Sequence, residues 1–303
     1  MLPITRHRRK YYALSTLLAG LSLAAWLVWG LKPGIDFTGG SLLELGFTGE
    51  RPSAQDVVRT AAESIGGQEP SAQPLGDDAI VLRMPPLDEA AHLKLSDDLK
   101  AAYEKDGAVV EERRFESIGP LIGEELRRKT VYAIVGAILA IVLYITYAFR
   151  RVSHPVASWK YGACTVVALG HDVLIPVGVF SALGHFYGVE VGAWVVTALL
   201  TVLGFSVHDT IVVFDRIREN LARARRESFE EVVNRSVNET LGRSINTSLT
   251  TLIVLAAVYV LGGESIRNFV LTMMIGISVG VYSSIFVASP LLVSWHLKES
   301  AKR

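Results

Sequence analysis

Residues 199–220 read LLTVLGFSVHDTIVVFDRIREN. The first part is apolar enough for a bilayer, a carboxylate, Asp209, lies inside it, and the stretch ends in Asp215, Arg216, Arg218 and Glu219. An ionised carboxylate at the centre of a lipid-embedded helix costs about 2.5–3.5 kcal/mol on the translocon-insertion scale. Roughly 9 Å of helix separates Asp209 from Asp215, which leaves Asp209 within the hydrocarbon or at its edge. Such a residue faces a bundle interior and has a partner, so the rest of the chain is read for the helices that surround it.

The composition agrees with a bundle in a membrane. Of 303 residues, 50% are hydrophobic, and the mean hydropathy of +0.36 is too high for an ordinary soluble domain. Basic and acidic residues balance at 30 each, so net charge points to no nucleic-acid partner. Cys164 is the only cysteine, which excludes a disulfide framework or a thiolate metal site within one chain. No Walker loop, dinucleotide fingerprint or nucleophile elbow is present.

Six apolar runs are long enough to span: Tyr11–Leu31, Val131–Phe149, Val156–Leu183, Val189–Phe214, Ile245–Leu261 and Phe269–Trp295. The first follows the basic tail MLPITRHRRK. It exceeds a signal-peptide core and ends at Gly30-Leu31-Lys32 without a small-x-small cleavage site, so it reads as an uncleaved span.

Residues 32–129 are charged and mixed in pattern. They read as strand Ser41–Phe47, helix Ser53–Ser64 behind a good N-cap, weak strand Gln68–Gln73 and strand Ala79–Met84. After Pro85-Pro86 come helix Leu87–Lys105, a stop at Gly107 and strand Val109–Ser117. The order β-α-β-β-α-β is the ferredoxin-like split motif. The expected fold is thus a polytopic α-helical membrane protein with six transmembrane helices and one α+β ferredoxin-like domain (32–129) between helices 1 and 2.

Loop charge gives an orientation. Arg6, Arg8, Arg9 and Lys10, then Arg150, Arg151 and Lys160, seven arginines from Arg216 to Arg243, and Lys298, Lys302 and Arg303 all fall on the side of the N-terminus. The two short loops opposite carry only Arg267. Both termini are therefore expected in the cytoplasm and the 32–129 domain outside; Arg127-Arg128-Lys129, at the outer end of the second span, runs against the rule. The charged 215–243 link reads as a solvated surface helix, with a basic face toward anionic lipid as a further reading.

Two spans carry the same dipeptide, His171-Asp172 and His208-Asp209. A shared metal ion is disfavoured, because adjacent helical residues diverge by about 100°. Facing aspartates, Asp172 and Asp209, would suit an intramembrane protease, but no Gly-x-Gly-Asp precedes Asp209. On the fifth span Arg243, Asn246, Thr247, Thr250 and Thr251 form one helical stripe, expected to face inward. From spacing, an Asp209–Arg243 pair is equally a structural salt bridge or a proton relay, and Arg243 is also placed to snorkel to the interface. Gly34–Gly40 is punctuation on its own evidence, with Asp36 capping a turn.

GIDFTGG, Gly34–Gly40, following a first span, resembles the signature of the SecD/SecF family of bacterial protein-export subunits. DTIVVFDRIREN, Asp209–Asn220, together with RSINTSLTT, Arg243–Thr251, is similar to the SecF branch of that family. The resemblance implies a resistance-nodulation-division architecture in the bacterial cytoplasmic membrane and a transport role rather than an enzymatic one. It implies protons as coupling ion with no other cofactor, and SecD, the SecYEG channel, SecA, YajC and a translocating preprotein as partners. It places the proton-site aspartate on Asp209, the essential arginine on Arg243 and, from the matching His-Asp context, a lesser role on Asp172. Gly34, Asp36, Gly39, Gly40, Asp215 and Arg216 fall in its motifs, and Asn246, Thr247 and Thr250 in its polar stripe. Fused relatives contain a second six-span half that this sequence lacks, so SecD is expected as a separate chain. The rival readings are half of a small-molecule exporter of the same superfamily and a membrane hydrolase built on the two His-Asp pairs.

Overall fold

The computed structural model describes residues 1–66, 70–104, 108–149, 156–224 and 226–301. The chain forms two compact units, Met1–Lys32 with Tyr132–Arg303, and Pro33–Val131. A 3-10 turn, Thr5–His7, leads into α1, Arg8–Trp29.

The second unit begins with a one-turn helix, α2 (Ile35–Thr38), and continues as β1 (Gly40–Phe47), α3 (Ala54–Ser64), β2 (Ser71–Leu75), β3 (Ala79–Met84), α4 (Glu89–Tyr103) and β4 (Val110–Ile118). The strands form one antiparallel sheet in the order β2-β3-β1-β4. Alternation on β1 sends Leu43, Leu45 and Phe47 to one face, where they meet Ile80, Leu82, Val57, Leu95 and Leu99 in a closed core. Side chains cap both helices: the Ser53 hydroxyl accepts from the Asp56 N–H at 3.1 Å, and Asp88 Oδ1 from the Ala91 N–H at 2.8 Å.

The expected βαββαβ order is the observed one, with shifted bounds. β2 lies later than Gln68–Gln73 and includes Pro74, tolerated because β2 is an edge strand; Gln68 falls outside the described residues. Asp88 caps α4, so that helix starts after Leu87, and the helix end and stop expected at Lys105 and Gly107 also lie outside them.

The remaining elements are α5 (Pro120–Ala148), α6 (Ser158–Tyr187), α7 (Ala193–Arg223), α8 (Phe229–Leu261), α9 (Glu264–Ser283), a π-helical turn (Ser284–Ala288) and α10 (Ser289–Ser300). With α1 they supply, among the described residues, six helices, the last composite, long and apolar enough to cross a membrane. About half of α6, α7 and the composite sixth span is buried, whereas α1, α5 and α8 present most of their surface outward. The 215–243 segment is not a separate surface helix. α7 and α8 simply continue through it as a helical hairpin, α8 opening with a Ser228–Glu231 capping box.

Small residues set the close approaches. A Cβ on Gly178 of α6 would meet Ser22 Cα of α1 at 2.3 Å, and a Cβ on Gly276 or Gly280 of α9 would meet Val202 at 2.4 Å or Ser206 at 3.0 Å on α7. Without a hydrophobic drive between helices in lipid, such contacts provide the packing. At the end of the bundle where the chain starts, α8 holds the N-terminal segment. Asn238 and Asn234 bond the backbone of Leu2 and Thr5, and Glu230 pairs with Arg8 at 2.6 Å.

Candidate functional site

Three ionisable residues stand equally far along their helices. Asp172 stands 14 residues from Ser158, Asp209 14 from Arg223 and Arg243 14 from Phe229, each counted from the helix end on the side of the N-terminus. That is about 21 Å along each helix.

Asp172 is fully buried and engaged by three donors. Its Oδ2 accepts from Ser206 Oγ of α7 at 2.5 Å and from Ser283 Oγ of α9 at 2.7 Å, and its Oδ1 lies 3.0 Å from His171 Nδ1. Next to Ser283, Ser284 bonds Thr210 Oγ1 at 2.8 Å and the Ser206 carbonyl at 3.4 Å, both on α7. The π turn begins at Ser284, and Ser289 Oγ closes on the Ser284 carbonyl at 3.0 Å. Pro176, four residues after Asp172, has no N–H for the Asp172 carbonyl, so α6 is weakened at this level.

Asp209 lies on the same buried face of α7 as Ser206, Thr210 and Val213. It is 3% exposed, and its Oδ2 has no hydrogen-bond partner. A buried acceptor without a donor is costly and rare. No ion pair joins it to Arg243. The stripe expected to point inward points away from this bundle: Arg243, Asn246, Thr247 and Thr250 are exposed, and the buried polar positions of α8 beside them are Ser244 and Ser248, whose hydroxyls have no partner either. One residue of offset on a helix is about 100°, enough to exchange the two faces.

The motif residues after α1 form a tight knuckle. Gly39 N–H caps α2 on the Ile35 carbonyl at 2.9 Å, and Thr38 Oγ1 donates to the Gly34 carbonyl at 3.2 Å. Asp36 sits in the first turn. Gly39 (φ 71°) and Gly40 (φ 127°) occupy conformations that favour glycine. A Cβ on Gly39 would stand 2.9 Å from Pro120 Cα, and one on Gly123 2.9 Å from Gly39 N. The motif is thus the seat on which the start of α5 rests.

Asp215 and Arg216 serve the α7–α8 hairpin. Asp215 pairs with Arg218 at 2.6 Å, while Arg216 bonds Glu219 and Glu239, each at 2.6 Å, the latter on α8. Asn220 donates to Ser236 and Glu239. With Arg223 and Arg235 also paired to glutamates, the basic lipid-facing surface read from sequence is largely neutralised.

Sequence reasoning missed Ser206, Thr210, Ser283 and Ser284. Their one available signal is the four-residue spacing of Gly276, Gly280 and Ser284, which marks a close helix contact.

Comparison with known proteins places this arrangement. Residues 98–298 match the family described as protein export membrane protein SecD/SecF, C-terminal, and residues 25–49 the SecD/SecF GG motif. The protein translocase subunit SecF of Thermobaculum terrenum is 45% identical over 311 residues, covering 99% of this chain and 95% of the relative. That of Desulfurispirillum indicum is 40% identical over 97% of the chain and 91% of the relative, and that of Escherichia coli O157:H7 36% over 95% and 85%. The crystal structure of SecDF, a translocon-associated membrane protein from a Thermus species, superposes with a TM-score of 0.79 at 36% identity, over 96% of this chain. A SecDF structure in a super-membrane-facing form gives 0.68 at 35% identity, over 99% of this chain. This chain spans 38% and 39% of those two solved chains.

Proposed function

We propose a mechanism from one premise: the chain belongs to the SecD/SecF family of protein-export membrane proteins. Its role is that of a SecF-type subunit in protein export. The finer reading is that it draws on the proton gradient through Asp209. The carrying observation is a buried carboxyl oxygen without a donor, within electrostatic reach of an arginine on the neighbouring span.

An ionised Asp209 finds no compensating donor for Oδ2 inside this bundle, so it attracts the guanidinium of Arg243. Once protonated it needs no counter-charge, and the attraction lapses. Alternation between the two states shifts α7 against α8, and the spans pass the motion to the external domain, where it acts on an emerging polypeptide.

An exposed row of Arg243, Asn246, Thr247 and Thr250 on a spanning helix is costly against lipid. We assign it to a second polypeptide half of SecD type, in keeping with the longer SecDF chains of which this chain matches a part. The complex works beside SecYEG and SecA, with YajC as a further neighbour, in the cytoplasmic membrane. Both termini are cytoplasmic and residues 32–129 lie outside. Export into inverted vesicles tests the reading. Asp209→Asn complexes should assemble with SecD and lose the gradient-dependent part of export; an undiminished gradient response contradicts it.

A further inference from the structure

The two buried aspartates are built differently. Asp172 has both carboxyl oxygens engaged, by Ser206 of α7, Ser283 of α9 and its own neighbour His171. Asp209 has an oxygen with no partner. A group that exchanges a proton and changes partners needs an open position, whereas a group that fastens helices needs its positions filled.

The filled one grips α7 on both sides of Asp209. Ser206, bonded to Asp172, lies one turn before Asp209, and Thr210, bonded to Ser284, directly follows it. Two consecutive serines reach different helices: Ser283 reaches Asp172 on α6, and Ser284 reaches α7. The π turn that begins at Ser284 is the kind of irregularity that accumulates at functional sites. Gly280, tight against Ser206, brings the backbones close enough for these short side chains to meet.

We infer that Asp172, with Ser206, Ser283 and Ser284, is a positioning clasp. It fixes α7 against α6 and α9 so that Asp209 stays buried with one carboxyl oxygen unpaired. Asp172 itself carries no transported proton. The inference rests on Asp209 being the proton site, and its test is chosen to stand apart from export.

The test is carbodiimide labelling of the SecD-containing complex across a pH series, with modification at each aspartate quantified by mass spectrometry. The charged and titratable groups around the two sites are His171 beside Asp172, Tyr282 from α9 with Tyr11 of α1 beyond it, His208 next to Asp209, and Arg243 from α8. All remain unchanged in the variants. In wild type, Asp209 should be labelled and Asp172 not. Asp172→Asn and the double variant Ser206→Ala/Ser283→Ala should displace the Asp209 labelling profile in the same sense and by a similar amount. Gradient-driven export should fall about tenfold in both, the scale of losing hydrogen bonds to a charged group. An unshifted profile in the serine double variant overturns the clasp, and so does labelling of Asp172 as strong as that of Asp209. If Asp172→Asn fails to insert, the serine double variant decides alone. A normal export response by Asp209→Asn would remove the proton-site reading and leave the labelling result to judge the clasp.

Discussion

Asp209 and Arg243 stand equally far from the ends of α7 and α8 that their hairpin joins, yet no ion pair joins them: Asp209 is 3% exposed inside the bundle, and Arg243 is on the outward face of α8. The separation is what a switch needs in one of its two states. Arg243→Lys retains the charge but loses the planar fork of donors. Gradient-driven export should fall by about tenfold, the scale of losing a hydrogen bond to a charged group, while gradient-independent export is unchanged. Vesicle translocation with and without an imposed gradient checks this.

The outward stripe predicts a contact. Cysteines placed at Thr247 or Thr250 should cross-link to the SecD-type partner in membranes, and a cysteine at buried Ser248 should not. Cross-linking from Ser248 alone would mean that α8 is rotated in the complex.

The glycine knuckle makes a paired prediction. At Gly123 an added methyl meets the Gly39 backbone at 2.9 Å, but at Gly119 it meets nothing within 4 Å. Gly123→Ala should cost about 1–3 kcal/mol, as overpacking does, and Gly119→Ala far less. Thermal unfolding of the purified protein separates them.

The domain between α1 and α5 carries an acid-sensitive pair. Arg113, at the bulge where β4 shifts register against Glu44 and Leu45, bonds Asp78 at 2.5 and 3.4 Å. That hydrogen bond holds the Asp78 carboxyl below its ordinary value. A carboxyl whose folded value is depressed adds stability that is complete above the unfolded value, about 3.9, and is lost as pH falls through the folded one. A fragment of residues 33–125, which has its own core, should unfold cooperatively. Asp78→Asn should flatten its stability profile on the acid side only.

Much of this architecture is legible in one dimension. The six spans follow from run length, and the βαββαβ order from the change between two- and four-residue periods. Asp209 stands out because a carboxylate in an apolar run is expensive. The clasp was not legible, because serines are ordinary in spanning helices and nothing in the spacing of Ser206, Ser283 and Ser284 says which helices they join. The facing of α8 was not legible either. Both Arg243-Asn246-Thr247-Thr250 and Ser244-Ser248 make a polar line, and which line faces inward is set by packing against α7 and α9 and by whatever covers the rest. The π turn leaves no mark in composition at all.

Infrared difference spectroscopy of the reconstituted complex across a pH jump reads the protonation of Asp209 most directly. A carboxyl C=O band should appear on acidification in wild type and in Asp172→Asn, and be absent in Asp209→Asn. A band that persists in Asp209→Asn, or disappears only in Asp172→Asn, would contradict the assignment of the proton to Asp209.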